Sequence, residues 1–194
     1  SAFDNSNVSV SEPGHPAELQ NAMQVSADYF TVLKIMPELG RTFRAAEEIR
    51  GHHRVIVLSH AFWQDRYGGA RDVLGRTLRI DGEPHEIIGV LPATADEGRV
   101  IRQARLFRPL SFTDEERISR SNAWLNVIGR RLSSLSPQQG EAWVATLGAR
   151  MAADHSKENA GTGWRCVDLL GATGNSTGRI IMAMLLGLSG FVLL

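Results

Sequence analysis

Six histidines, one cysteine and a serine–histidine pair are the side chains of this 194-residue sequence best suited to chemistry. The histidines stand at positions 15, 52, 53, 60, 85 and 155, and no two share the H-x-x-x-H or other short spacing that brings two imidazoles onto one metal. His52 and His53 follow Gly51 in a turn-like stretch, where solvated histidines are common. Ser59-His60 sits at an expected strand-to-helix junction, superficially like a nucleophile elbow. The G-x-S-x-G context is missing, and neighbouring residues on a new helix diverge by about 100°, so His60 is badly placed as a base for Ser59. Capping the helix is the better reading of Ser59. The single cysteine, Cys166, excludes an internal disulfide and a cysteine-cluster metal site, and its apolar surroundings make it a small core residue.

Other motifs are equally thin as chemistry. The run GATGNSTG, Gly171 to Gly178, has the glycine content of a phosphate loop but lacks the lysine and the G-x-x-x-x-G-K-[ST] spacing, so it reads as a polar linker. Asp114, Glu115 and Glu116 form a charge run that caps or solvates a surface segment, with no second acid to pair against. Arg117, Arg120, Arg130 and Arg131 make a locally basic stretch without interleaved aromatics, which argues against nucleic-acid binding. No catalytic residue, cofactor-binding residue or metal ligand is expected.

The composition bounds what must position these residues. Lysines plus arginines equal aspartates plus glutamates at 21 each, so no global field draws the chain to nucleic acid or anionic lipid. With 43% apolar and 22% charged residues it is a folded protein, of one domain or two small subdomains. Ser1 to Pro16 is polar, contains no signal segment and does not begin with methionine, so the start reads as a cut inside a longer protein. Ile180 to Leu194, IIMAMLLGLSGFVLL, carries no charge and no polar stripe. Its length corresponds to about 22 Å of helix, short of the roughly 20 residues a membrane span needs, and it reads as the start of such a span. The competing reading is a buried C-terminal helix.

Between the ends, periodicity marks the elements. Leu19 to Val25 alternates as a strand. Ser26 is a plausible cap for a short helix through Ile35, with Tyr29, Phe30, Leu33 and Met36 as its apolar face. Val55 to Leu58 is an apolar strand, and Ser59 starts a helix carrying Phe62, Trp63 and Tyr67 that Gly68-Gly69 stops. Thr77 to Ile80, Asp81-Gly82 and His85 to Val90 form the clearest signal, a hairpin with a type I′ turn. Ala93 to Arg120 lacks periodicity and reads as a long surface excursion, touching down at Leu106-Phe107 and Pro109-Leu110. Trp124 to Leu132 reads as a strand. Ser136 and Gln139 form a capping box around Pro137, opening a helix to about Asp154 with Trp143, Val144, Leu147 and Met151 on one stripe facing a sheet. Trp164 to Leu170 reads as a returning strand.

Three of these runs, in this order, resemble a known family. VSADYFTVLKIMPELGRTF (Val25 to Phe43), VIVLSHAFWQDRYGG (Val55 to Gly69) and VLGRTLRIDGEPHEIIGVLP (Val73 to Pro92) resemble the MacB-like periplasmic core domain of FtsX-like ABC-transporter permeases. The later WLNVIGRR, the SPQQGEA helix start and the apolar tail extend the resemblance over roughly Leu19 to Leu194. Ser133-Ser134-Leu135 and Leu106-Phe107-Arg108 depart from its pattern. The resemblance implies an α+β fold: a porter-like βαβ subdomain with an inserted second α+β subdomain, followed by the start of a transmembrane helix. Residues 1–170 would be the extracytoplasmic core domain, about 25–92 the inserted subdomain, about 120–170 the porter-like half, 171–178 a linker and 179–194 the start of the membrane helix. It also implies a non-enzymatic role on the periplasmic side of the inner membrane, coupling ATPase-driven helix movement to export or extraction of a substrate. The implied partners are a separate ABC-type ATPase subunit or domain, the remaining permease membrane helices and a second permease copy, with no cofactor in the domain itself. The alternative is a soluble extracytoplasmic ligand- or peptide-binding module.

Overall fold

Asp81 and Gly82 both adopt positive φ, 53° and 83°, the angles that a two-residue type I′ connection requires. The strands they join, β5 (Thr77–Ile80) and β6 (Glu83–Val90), pair antiparallel from Thr77↔Glu86 to Ile80↔Glu83, as the alternation and turn chemistry predict. This hairpin is one wall of a larger assembly seen in a computed structural model, which describes residues 1–12, 15–96, 101, 103–118, 125–155, 164 and 166. The chain divides into two compact units, Ser1–Leu132 and Ser133–Leu194.

In the first unit the other elements are β1 (Ala2–Glu12), β2 (His15–Val25), α1 (Tyr29–Leu33), β3 (Leu39–Gly40), β4 (Val55–Leu58), α2 (His60–Tyr67), α3 (Ala93–Asp96), β7 (Leu106–Pro109), α4 (Asp114–Ile118) and β8 (Asn126–Val127). The pairings run β2-β7-β4-β6-β5-β1, and β1 also pairs β2, so the ladder closes into a six-stranded barrel. β3 adds to β6 and β8 adds to β1 outside that circuit.

Alternation divides the apolar residues of this barrel into two cores. One takes Val8 and Val10, Ala22, Leu106, Ile56 and Leu58, Ile87 and Val90, Leu78 and Ile80, so every barrel strand contributes, and Phe62 and Trp63 of α2 join it. It is the barrel interior, with α2 closing the end where β4 finishes. The other takes the residues between: Met23 and Val25, Phe107, Val57 and Ile88, packed under Tyr29 and Phe30 of α1 and Phe43. Phe30 meets Phe107 edge-on at 5.3 Å. The central strands are therefore buried on both faces, which explains continuous apolar runs such as VIVL.

Helix α2 begins and ends as expected: the Ser59 hydroxyl accepts the Phe62 N–H at 3.1 Å, and Gly68 terminates it at φ 58°. Gly89 marks a bulge in β6, where Ile56↔Ile87 is followed by Val57↔Gly89. A Cβ there would lie 2.2 Å from the Arg41 carbonyl oxygen, so only glycine lets the connector after β3 cross the strand.

Several expectations are corrected. Ser1 to Pro16, which the sequence assigned to no element, is mostly β1 and the start of β2. Its polar residues alternate with buried Val8 and Val10, a signal diluted by serine and asparagine. Ser26 does not cap α1. Asp28 holds the cap position, the Ser26 hydroxyl binds the Ala2 N–H and the Ser1 hydroxyl instead, and Lys34 at φ 59° ends the helix before Ile35. Met36 is left exposed. Ala93 to Arg120 is not a surface excursion: β7 lies between β2 and β4 in the barrel wall, and Ile101 and Ala104 are buried. Trp124 to Leu132 contributes only the two-residue β8 among described residues.

In the second unit α5 (Pro137–Asp154) has the expected reciprocal Ser136–Gln139 capping box. Its buried side is not the Trp143–Leu147–Met151 stripe, for Trp143 is 65% and Leu147 37% exposed. A Cβ on Gly148 would meet Trp164 at 2.8 Å and the Cys166 sulfur lies 3.8 Å from the Gly140 carbonyl oxygen, so the close packing falls on the glycine seam beside that stripe. Cys166 is exposed rather than core, and neither it nor Trp164 lies in a strand. The remainder of the expected returning strand, the 171–178 linker and the 179–194 apolar segment lie outside the described residues.

Two glycine substitutions separate strain from collision. Gly82→Val, with open space around the site, should cost about 1 kcal/mol, a fall of about 2–4 °C in melting temperature. Gly89→Ala forces a methyl onto backbone and should cost more than twice as much. Thermal melts that reverse this order would refute the close crossing at Gly89.

Candidate functional site

The barrel has two polar ends, built by inward-facing positions of otherwise apolar strands. At the α2 end, Glu12 of β1 accepts from the Tyr67 hydroxyl at 2.5 Å and from Arg66 Nε at 3.1 Å, while Arg66 also reaches Glu18 of β2 at 3.3 Å. Arg66 and Arg105 both lie over the Phe62 ring, and Arg105 pairs with Asp65 at 2.6 Å. Burial and the Glu12 carboxylate raise the Tyr67 hydroxyl above its ordinary range, so it stays a donor. This end is a clasp joining the β1–β2 hairpin to the closing helix.

At the other end lies the Asp81-Gly82 turn. Leu106 faces the barrel interior and Phe107 the outer core, so Arg108 faces inward again. Its side chain is only 18% exposed, and burial lowers its pKa despite the nearby Asp81 and Glu83 charges. Arg108 donates to Asp81 Oδ2 at 3.4 Å, Asp81 Oδ1 accepts the Ser9 N–H at 2.9 Å, and Arg108 Nε is buried with no acceptor among described residues. His85 is buried opposite Leu78 and sits 3.0 Å through Nδ1 from the Glu83 carbonyl, which makes Nδ1 its protonated nitrogen. His53 accepts the Gly51 N–H on Nδ1 at 3.1 Å, and Arg54 pairs with Glu83 at 3.1 Å.

Both imidazoles are pushed below their usual pKa. Burial is the main cause for each, with the Arg50 and Arg54 charges adding for His53 and Arg108 for His85, where the Glu83 carbonyl works the other way. The sequence contained one signal for this cluster, an arginine at an inward step of the LFRP strand. Nothing adjacent announces that step, because the strand is defined only by its pairing with β2 and β4.

The remaining candidates resolve as structure. Ser59 is a buried cap, and His60 stands against Trp63 and 3.8 Å from Glu38 rather than on Ser59. Glu116 and Thr113 cap α4 reciprocally, which absorbs the acidic run. Arg130 donates to the Val32 carbonyl oxygen. Among the described residues no group of three histidine, cysteine or acidic side chains is placed to hold a metal. No helix of the described residues is long and apolar enough to cross a membrane.

The first unit is thus a closed barrel tied at one end by the Glu12–Arg66–Tyr67 clasp and carrying Arg108 at the other. A family model described as the MacB-like periplasmic core domain matches residues 2–154, and the chain belongs to that family. It is a periplasmic domain of the MacB-like ABC-transporter permease family, a transporter part rather than a classical enzyme. The fold is similar to the extracellular domain of the noncanonic ABC-type transporter YknZ from Gram-positive bacteria, at 18% identity and TM-score 0.56 over 81% of this chain and 78% of that one. It is similar to the periplasmic region of MacB from Actinobacillus actinomycetemcomitans, at 17% identity and TM-score 0.56 over 82% and 69%. A domain of a putative permease from Porphyromonas gingivalis gives 14% identity and TM-score 0.58 over 88% and 79%. No curated protein matches the sequence.

The lowered histidine pKa values predict an acid-sensitive fold. A ring held neutral in the native state contributes stability that is complete above its unfolded value, about 6.5, and is lost as pH falls through that value toward the lowered native one. Melting temperature should therefore drop between pH 7.5 and 5. Replacing His85 with asparagine should flatten that slope, and an unchanged slope would show that His85 is not its source.

Proposed function

We propose that this domain couples ATPase-driven movement of permease membrane helices to the handling of a substrate outside the cytoplasmic membrane. The observation that carries the reading is the family match across residues 2–154. In the proposal residues 1–170 stand on the periplasmic side, 171–178 link them to the membrane, and 179–194 open a membrane helix. Within the core, about 25–92 would be the inserted subdomain and about 120–170 the porter-like half. ATP is bound by a separate ABC-type ATPase subunit or domain, and the remaining permease helices and a second permease copy complete the transporter.

The geometry supports a mechanical rather than a chemical role. Ser1 and Ile128 exchange two backbone hydrogen bonds, 3.0 Å and 2.9 Å, so the strands at the two ends of the first unit lie side by side. A displacement applied at that point acts on both ends together, and a closed barrel carries it as one body instead of deforming. Tight backbone crossings at Gly40 and Gly89 leave little room for internal slippage.

Cys166 supplies a direct test, because it is the sole cysteine and is exposed. In intact cells expressing the chain within its permease, with any cysteine outside these 194 residues replaced, a membrane-impermeant maleimide should label it, and a Cys166→Ser control should remain blank. Labelling that appears only after the cytoplasmic membrane is lysed would refute the periplasmic placement.

A further inference from the structure

Two arginines of the first unit keep a buried nitrogen without a partner among the described residues, Arg66 Nη2, whose side chain two carboxylates already serve, and Arg108 Nε. Arg41 grips Glu47 through two bonds of 2.6 Å and 3.0 Å, and Arg105 meets Asp65 at 2.6 Å. Arg108, inside the barrel end, has one carboxylate contact at 3.4 Å, and that carboxylate already serves the Ser9 N–H through its other oxygen. The remaining acid of the cluster, Glu83, is taken by Arg54. Arg108 Nε therefore has no acceptor among the described residues, although a guanidinium taken out of water needs its donors satisfied.

The surroundings add to the deficit. Arg108, His53 and His85 act on one another electrostatically, and the Arg50 and Arg54 charges bear on His53. A second orphan points the same way. Ser6 alternates with Val8 and Val10 and so faces inward. It lies opposite Ala22, which lies opposite Leu106, one inward step from the row of Arg108, and its hydroxyl is buried without a partner among the described residues. Two of the fold's unpartnered buried polar groups thus share one end of one barrel, and both can donate.

We propose that this barrel end, at the Asp81-Gly82 turn, binds a small oxyanion, a phosphate or carboxylate group, through the Arg108 guanidinium. The anion binds along the Nε–Nη2 edge of the guanidinium and supplies the acceptor that Nε lacks, while Nη1 keeps its long contact to Asp81. A planar two-donor edge suits either oxyanion. Chloride can sit between the two donors but offers one spherical acceptor, where a carboxylate or phosphate gives each donor its own oxygen.

The test uses the whole chain, in mild detergent where its apolar segment requires it, with inorganic phosphate and acetate as probes and sodium chloride at matched ionic strength as reference. The Arg108 Nε–H resonance should move saturably with at least one probe, and that probe should raise the melting temperature by a few degrees over chloride. A response to phosphate alone assigns the site to phosphate groups, and a response to both assigns it to oxyanions generally. Arg108→Gln should abolish the stabilisation, while Arg105→Gln should leave it intact. The resonance is read on the unsubstituted chain, so a failure of Arg108→Gln to fold leaves the test standing. A resonance indifferent to both probes, or equal stabilisation of Arg108→Gln, would overturn the proposal.

Discussion

Strand β1 is hydrogen-bonded on both edges, to β2 along its length and to β5 at Val10↔Ile80 and Ser11↔Arg79, and on that double pairing the rest of the first unit depends. Without the β5 contact the six strands would be an open sheet with two free edges and an exposed inner face. With it, Val8, Val10, Leu78 and Ile80 complete the interior that α2 closes at one end. Closure also fixes where polar groups must go. Inward positions along the strands are mostly apolar, with Ser6 and Gln20 as polar exceptions, while the ends carry Glu12 on one side and Arg108 on the other.

The barrel and its surroundings are held together by backbone proximity as much as by side chains. Gly40 at φ 67° pairs with Gly89, and Cβ atoms at either position would sit 2.2 Å from a carbonyl oxygen. That crossing delivers Arg41 to Glu47, a half-buried pair in which burial raises the Glu47 pKa but the Arg41 and Arg44 hydrogen bonds outweigh it and leave it lowered. A connector that reads as a charged loop is thus pinned twice, once by missing side chains and once by a satisfied carboxylate.

What the sequence disclosed follows from how local each signal is. The β5–β6 hairpin, the Ser59 cap and the Ser136–Gln139 box depend on residues within a few positions of one another, and all were readable. β7 depends on β2 and β4, more than 40 residues away, for the pairing that makes LFRP a wall strand, and nothing adjacent announces it. β1 was concealed by composition, since one of its faces is serine, asparagine and aspartate. The α5 stripe misled because glycines at 140 and 148 outcompete tryptophan where close approach matters. The Arg108 cluster could not be read, because it gathers residues from both ends of the unit only once the barrel is closed.

Barrel closure also dictates the order in which the molecule can be made. The strand that seals the circuit on one side, Ala2–Glu12, is the first from the N-terminus, yet its partner β5 lies some 70 residues later and β7, which bridges β2 to β4, comes later still. Such distant pairings place this unit among high-contact-order topologies, whose search for the native state is slow because loop entropy is spent before contacts repay it. Until Leu106–Pro109 arrives, β2 and β4 present bare edges and apolar faces to any neighbour. A nascent copy is therefore most prone to aggregate when β4 and the β1–β2 and β5–β6 hairpins have been made and β7, which closes β2 onto β4, has not.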